Sequence, residues 1–194
     1  MANKDLKILQ NIDYKILYTE KQIQDRVKAL AKEISKDYAD KDLYVVGVLR
    51  GAFMFTADLI RHLDIPITTD FIAISSYGSS TKTTGVVRLM KDLDDNVEGR
   101  HVLIVEDIVD SGRTISYIND IIRTRRVASL KLASFLDRPD RREVPVEIAY
   151  KGFNIPDKFV LGYGMDYAHL FRNVPFIFTC KFLPSEEDIV KRQG

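Results

Sequence analysis

The chain has 194 residues, 45% of them apolar and 29% charged, with 29 Lys and Arg against 28 Asp and Glu for a net charge of +1. That near-neutral balance excludes a general electrostatic attraction to nucleic acid or anionic lipid, and no stretch reaches the ~20 consecutive apolar residues of a membrane helix. At this length one compact core is expected, burying roughly two thirds of the unfolded surface.

The opening segment MANKDLKILQNIDYK places charges where a secretory signal would need an apolar run, and the single cysteine, Cys180, can form no disulfide within the chain. A reducing cytoplasm is therefore the expected compartment. Over 20–38, apolar residues recur at Ile23, Val27, Leu30, Ala31 and Ile34, the spacing of one helical face. The short apolar run LYVVGVL over 43–49 ends at Arg50-Gly51, and Ala52, Phe55, Leu59, Ile60 and Leu63 mark the next helical face, which predicts strand, tight turn and helix.

A strand is predicted over 67–75, followed by SSYGSSTKTTGVVRLMK (75–91), a polar stretch rich in Gly, Ser and Thr that reads as a long flexible hairpin or lid. HVLIVE (101–106) reads as a buried strand, followed by a turn and a helix with Ile115, Ile118, Ile121 and Ile122 on one face. A fourth strand is predicted over 127–136, and 158–161 is taken as the core of a fifth. With no repeat and no linker-like stretch, 1–194 reads as a single domain. Apolar strands alternating with amphipathic helices predict an α/β fold with a parallel central sheet flanked by helices. In such sheets ligands bind beyond the carboxyl ends of the strands.

The stretch VLIVEDIVDSGRT (102–114) lies at such an end. Ser111, Gly112, Arg113 and Thr114 place small or hydroxyl side chains and exposed backbone N–H groups at a helix start, where the helix dipole favours a phosphate. Glu106 and Asp107, adjacent on extended backbone, point in different directions, and uncompensated carboxylates there call for a metal, a cation or sugar hydroxyls. An isolated acidic doublet is more often a solvated turn. Joined to a buried strand and an anion-binding helix start, it points to a polyhydroxylated ligand that carries phosphate.

The same residues resemble the phosphoribosyl pyrophosphate signature of type I phosphoribosyltransferases: four apolar residues, two acids, two apolar residues, then Asp-Ser/Thr-Gly-x-Thr. The segments VLRGAFMF, SSYGSSTKTTG, IPDKFVLGYGMDY and FRNVPFI extend the resemblance over nearly the whole chain and narrow it to the hypoxanthine-guanine branch. It implies the type I phosphoribosyltransferase fold, with a core of about 20–165, a small hood formed by the N- and C-terminal segments 1–19 and about 150–194, and a lid that closes over the site.

Residue by residue, the resemblance implies that Glu106 and Asp107 face the ribose hydroxyls and share a magnesium ion with Asp166. Residues Asp110, Ser111, Gly112, Arg113 and Thr114 would hold the 5-phosphate, and Asp110 would be the catalytic acid/base near N7 of the purine. Arg50 and Gly51 would form the pyrophosphate loop, where the Leu-Arg peptide is commonly cis, and Ser76, Tyr77 and Arg172 would also reach pyrophosphate. Phe159 would stack on the purine, Val160 would meet its edge through the backbone, and Asp166 would lie near the base. Two positions depart from the pattern. Arg138 stands where the family usually has a lysine that donates to O6, and its fork is larger and permanently charged. Arg113 fills a variable place often held by lysine, where the role is a backbone one.

The implied reaction transfers the 5-phosphoribosyl group of 5-phosphoribosyl 1-pyrophosphate to N9 of hypoxanthine or guanine, giving IMP or GMP and pyrophosphate with Mg2+ as cofactor, in a homodimer or homotetramer. A xanthine-preferring enzyme stays open through Arg138. A regulator that binds RNA on the same fold would need a basic face, for which Arg123, Arg125, Arg126, Arg138, Arg141 and Arg142 are the candidates, against a net charge near zero. His62, His101 and His169 have no metal-type spacing, and no P-loop pattern is present.

Overall fold

The computed structural model describes residue 9 and residues 12–77 and 86–180. The tip of the expected lid (78–85) and residues 1–8, 10–11 and 181–194 of the expected hood lie outside the described residues. The chain separates into two compact units, one of residues 25–157 and one that joins 1–24 to 158–194.

The helical face read over 20–38 forms α1 (Glu20–Asp37), and Ile23, Val27, Leu30, Ala31 and Ile34 are all fully buried. Its start is a reciprocal cap: Thr19 Oγ1 accepts from the Gln22 backbone N–H at 3.3 Å, and Gln22 Oε1 accepts from the Thr19 N–H at 2.9 Å. The apolar run after it becomes β2 (Leu43–Leu49), and α2 (Phe53–Ile60) follows the tight turn. Next come β3 (Ile67–Tyr77), β4 (Val86–Lys91), β5 (His101–Val109), α3 (Arg113–Arg123), β6 (Ser129–Asp137), a single 3-10 turn (Pro139–Arg141) and β7 (Tyr150–Asn154).

These strands make a six-stranded sheet in the order β4-β3-β2-β5-β6-β7. β2, β3, β5, β6 and β7 are parallel, and β4 closes one edge antiparallel to β3. Tyr44, Val46, Ile72, Val102 and Ile104 pack with Ile115, Ile118 and Ile122 of α3 in one buried cluster. Phe55 of α2 meets Phe135 of β6 at 4.9 Å between ring centroids. In the other unit β1 (Tyr14–Tyr18) pairs antiparallel with β8 (Ile177–Cys180), over a core of Leu9, Leu161, Phe171, Val174 and Phe178. Among the described residues no helix is long and apolar enough to cross a membrane.

One expectation is corrected. The fifth parallel strand is Tyr150–Asn154 rather than 158–161, where only Leu161 makes an isolated bridge, to Phe178. Of the run at 158–161 only Leu161 joins the core of the terminal unit, Phe159 is exposed, and Gly162, whose φ is +92°, turns the chain. The true strand, YKGFN, is an edge strand with polar alternate positions and a weak hydrophobic signal. The parallel central sheet flanked by helices is as expected, with β4 added antiparallel at one edge.

A buried carboxylate ties β4 to this frame. Asp70 accepts hydrogen bonds from the Tyr44 hydroxyl at 2.9 Å, the Asp94 N–H at 2.7 Å and Lys91 Nζ at 3.0 Å. Burial alone would push its carboxyl up, but the donors outweigh burial and hold it down at about 2. A carboxyl lowered from 3.8 to about 2 adds stability above its unfolded value, and that stability is lost as pH falls toward 2. Asp70→Asn is expected to lower unfolding free energy by about 2 kcal/mol at neutral pH, with the difference vanishing near pH 2. Urea titrations of both proteins across that range read the effect directly.

Candidate active site

β5 runs three residues beyond the predicted 101–106, pairing with β6 as far as Val109↔Asp137, so Asp107 lies on the strand together with Glu106. Glu106 is 7% exposed. Its Oε1 accepts from the Asp107 N–H at 3.2 Å, while Oε2 is buried with no hydrogen-bond partner among the described residues. Burial first, and the neighbouring Asp107 charge second, raise the Glu106 carboxyl well above its ordinary range. An orphaned oxygen on a buried acid beside a second acid fits a cation or a sugar hydroxyl.

Asp107 reaches across to β2. Its Oδ1 accepts from the Ile108 N–H at 2.7 Å, and its carboxylate lies against Gly51 so closely that a Cβ there would fall on it. The turn that carries Gly51 contains a cis Leu49–Arg50 peptide, as the resemblance implied. Arg50 is exposed at the end of β2.

At the β5–α3 junction, Gly112 sits at the N-cap of α3 with φ +84°, a conformation that favours glycine. A Cβ at Gly112 would also strike the Val144 carbonyl and come within 2.9 Å of Val146. The Ser111 carbonyl accepts from the N–H groups of Glu143 at 2.9 Å and Val144 at 3.0 Å, which holds this turn from behind. Arg113 and Thr114, exposed in the first turn of α3, put backbone donors and the positive end of the helix dipole toward solvent. Asp110 Oδ2 lies 3.3 Å from Arg138 Nη1, and Asp110 Oδ1 is buried without a partner among the described residues. Arg138 is only 5% exposed, so its guanidinium is built into the site floor.

In the terminal unit, Phe159 is 53% exposed, an aromatic face open to a ligand, and it meets Tyr167 edge-on with 6.3 Å between centroids. Val160 is buried. Asp166 Oδ1 pairs with Arg172 Nη2 at 2.6 Å, its Oδ2 accepts from the His169 N–H at 2.9 Å, and Arg172 Nη1 donates to the Gly164 carbonyl at 2.7 Å. The loop that holds this pair has left-handed φ at Tyr163 (50°), Ala168 (49°), His169 (67°) and Phe171 (73°), a concentration of strain of the kind found at binding sites. Among the described residues no group of three or more His, Cys, Asp or Glu side chains could hold a metal. The Ser76 and Tyr77 backbones belong to β3, paired with Val87 and Val86, and their side chains lie outside the described residues.

Most of the arginines considered for a basic face are neutralised. Arg125 pairs with Asp92 at 2.6 Å, Arg126 with Glu98 at 3.6 Å, Arg141 with Asp157 at 2.5 Å, and Arg142 with Asp137. Arg142 and Asp137 form part of the site's support; from the sequence Arg142 counts only toward a basic face and Asp137 has no assigned role.

The phosphoribosyl transferase domain family model matches residues 13–168. The chain belongs to the phosphoribosyltransferase family, and within it to the hypoxanthine-guanine branch. It is 46% identical over 167 residues to the hypoxanthine-guanine phosphoribosyltransferase of Bacillus subtilis, covering 86% of this chain and 93% of that one. A hypoxanthine phosphoribosyltransferase from Staphylococcus aureus superposes with a TM-score of 0.85 at 42% identity, covering 90% of this chain and 95% of the other. A point mutant of the Trypanosoma cruzi hypoxanthine phosphoribosyltransferase, solved as a ternary substrates complex, gives a TM-score of 0.81 at 42% identity, covering 88% and 96%.

Proposed function

We propose that this enzyme transfers the 5-phosphoribosyl group of 5-phosphoribosyl 1-pyrophosphate to N9 of hypoxanthine or guanine, forming IMP or GMP and releasing pyrophosphate. The observation that carries the reading is the β5–α3 junction. There two strand-borne acids, one with an orphaned buried oxygen, stand next to a helix start whose cap only glycine fits.

In this reading the N–H groups and hydroxyls of Ser111, Gly112, Arg113 and Thr114 hold the 5-phosphate. Glu106 and Asp107 take the ribose hydroxyls and would hold Mg2+, with Asp166 as a further candidate ligand. When bound, the metal neutralises the diphosphate and makes it a better leaving group. Arg50, Gly51 and Arg172, with Ser76 and Tyr77 of the lid, bind the departing pyrophosphate; the planar fork of arginine suits that anion. Phe159 stacks on the purine, Val160 meets its edge, Arg138 donates to O6, and Asp110 handles the N7 proton as N9 becomes bonded. Segments 1–19 and about 150–194 form the hood, the enzyme works as a homodimer or homotetramer, and the cytoplasm is its compartment.

A spectrophotometric assay with phosphoribosyl pyrophosphate, Mg2+ and each of hypoxanthine, guanine, xanthine and adenine tests the reading. Turnover of the first two, abolished by chelation of the metal, is the expected result. Xanthine alone as substrate would reassign the base specificity to Arg138, and no turnover with any base would overturn the enzyme reading.

A further inference from the structure

Resting on the reading of Asp110 as the proton-handling group, we propose that Arg142 is a positioning residue that sets the Asp110 carboxylate, working through the main chain behind the site. Its guanidinium makes three separate attachments. Nε donates to the carbonyl of Asp110 itself at 3.0 Å, and Nη2 donates to the Val109 carbonyl at 3.4 Å and pairs with Asp137 Oδ1. Its Cδ also lies 3.1 Å from where a Cβ at Gly112 would stand, so the same side chain backs the phosphate turn.

The pattern argues for more than charge neutralisation. Asp137, 4% exposed, already has a cation on its other oxygen, with Lys151 Nζ at 2.6 Å from Oδ2. A second cation is not needed to make that burial tolerable. What Arg142 adds is a rigid fork that spans a fixed carboxylate and two successive carbonyls, a geometry an ammonium cannot copy. Val109 and Asp110 are the residues where β5 gives way to the turn, so the direction of the Asp110 side chain follows the orientation of those two peptides. The Val109 carbonyl also accepts the Arg138 N–H at 3.0 Å, which places the base-facing arginine on the same anchor. Arg142 therefore links the acid/base group, the O6 donor and the phosphate turn without touching substrate.

The test is a double-mutant cycle of Arg142→Lys and Asp110→Asn, read as kcat and KM for hypoxanthine and phosphoribosyl pyrophosphate, with thermal melting measured beside it. Arg142→Lys keeps a cation for Asp137 and loses the two-carbonyl fork. A misdirected catalytic group can lower rate by about 100-fold, and that is the expected fall in kcat, with little change in melting temperature. In the Asp110→Asn background the same substitution should cause almost no further loss, because the group it orients is already gone. In Arg142→Ala, added guanidinium should restore part of the rate. An unchanged kcat in Arg142→Lys, a loss that adds in full to that of Asp110→Asn, or a loss that tracks melting would each overturn the proposal. A parent enzyme that turns over no purine removes the underlying reading instead, so the two failures are told apart.

Discussion

Asp110→Asn should lower kcat by on the order of 10²–10⁴, the usual worth of a positioned acid or base, while KM for phosphoribosyl pyrophosphate stays close to that of the parent. The substitution keeps the side-chain shape and leaves a carbonyl that can accept from Arg138 Nη1, which lies 3.3 Å from Oδ2 in the parent. The geometry of the site floor is therefore expected to survive, with only the group proposed to handle the proton removed. In the proposed reading the 5-phosphate is held by backbone donors of the next turn and by the dipole of α3, neither of which the substitution touches. Steady-state kinetics with hypoxanthine separate these contributions. A variant that kept the parent's kcat would remove Asp110 from the chemistry, and one that raised only KM would make it a binding group.

Gly51→Ala is expected to act on the site without unfolding the protein. A Cβ at residue 51 would land on the Asp107 carboxylate, and a carboxylate is the movable end of a side chain, so Asp107 swings away while the strands remain paired. The φ of Gly51 is not in the left-handed region, so alanine meets no backbone strain there. The carboxylate proposed to meet ribose and metal is then out of place by about the width of a methyl group, a displacement that can lower rate by about 100-fold. kcat/KM for phosphoribosyl pyrophosphate should fall by that order with the melting temperature little changed. Loss of stability without a kinetic effect would mean that the contact is packing alone.

Much of this arrangement could be read from the chain in advance, and the exceptions have physical causes. LYVVGVL and HVLIVE are continuous apolar runs because β2 and β5 are covered on both faces, and such strands announce themselves. The acids and the glycine after HVLIV were legible because each meets a local demand, a strand-end charge or a helix cap with positive φ. β7 is hard to read because an edge strand with Lys, Gly and Asn carries little hydrophobic signal, whereas KFVL has the signal but gives only Leu161 to the core of the terminal unit and leaves Phe159 exposed. Arg142 could not be assigned from pattern either. It reaches main-chain oxygens 32 and 33 positions earlier, and a carbonyl has no side-chain identity for sequence reading to catch. The Asp166–Arg172 pair was legible only as two separate residues, because the left-handed turns that fold 162–171 back on itself leave no periodic trace.

The position of the acids within the sheet also governs how damage to this protein shows itself. β2 and β5 are bonded on both sides, so the backbone that holds Gly47, Glu106 and their neighbours opens to solvent only when the whole sheet does. Amide hydrogen exchange there reports global unfolding, while the β4 and β7 edges exchange through smaller openings. A substitution in the interior, such as Ile104→Ala, therefore leaves the surviving molecules with normal substrate constants and reduces how many of them persist in a cell. Loss of activity through such substitutions is expected as a fall in protein abundance, and a ligand that binds the folded state should offset it.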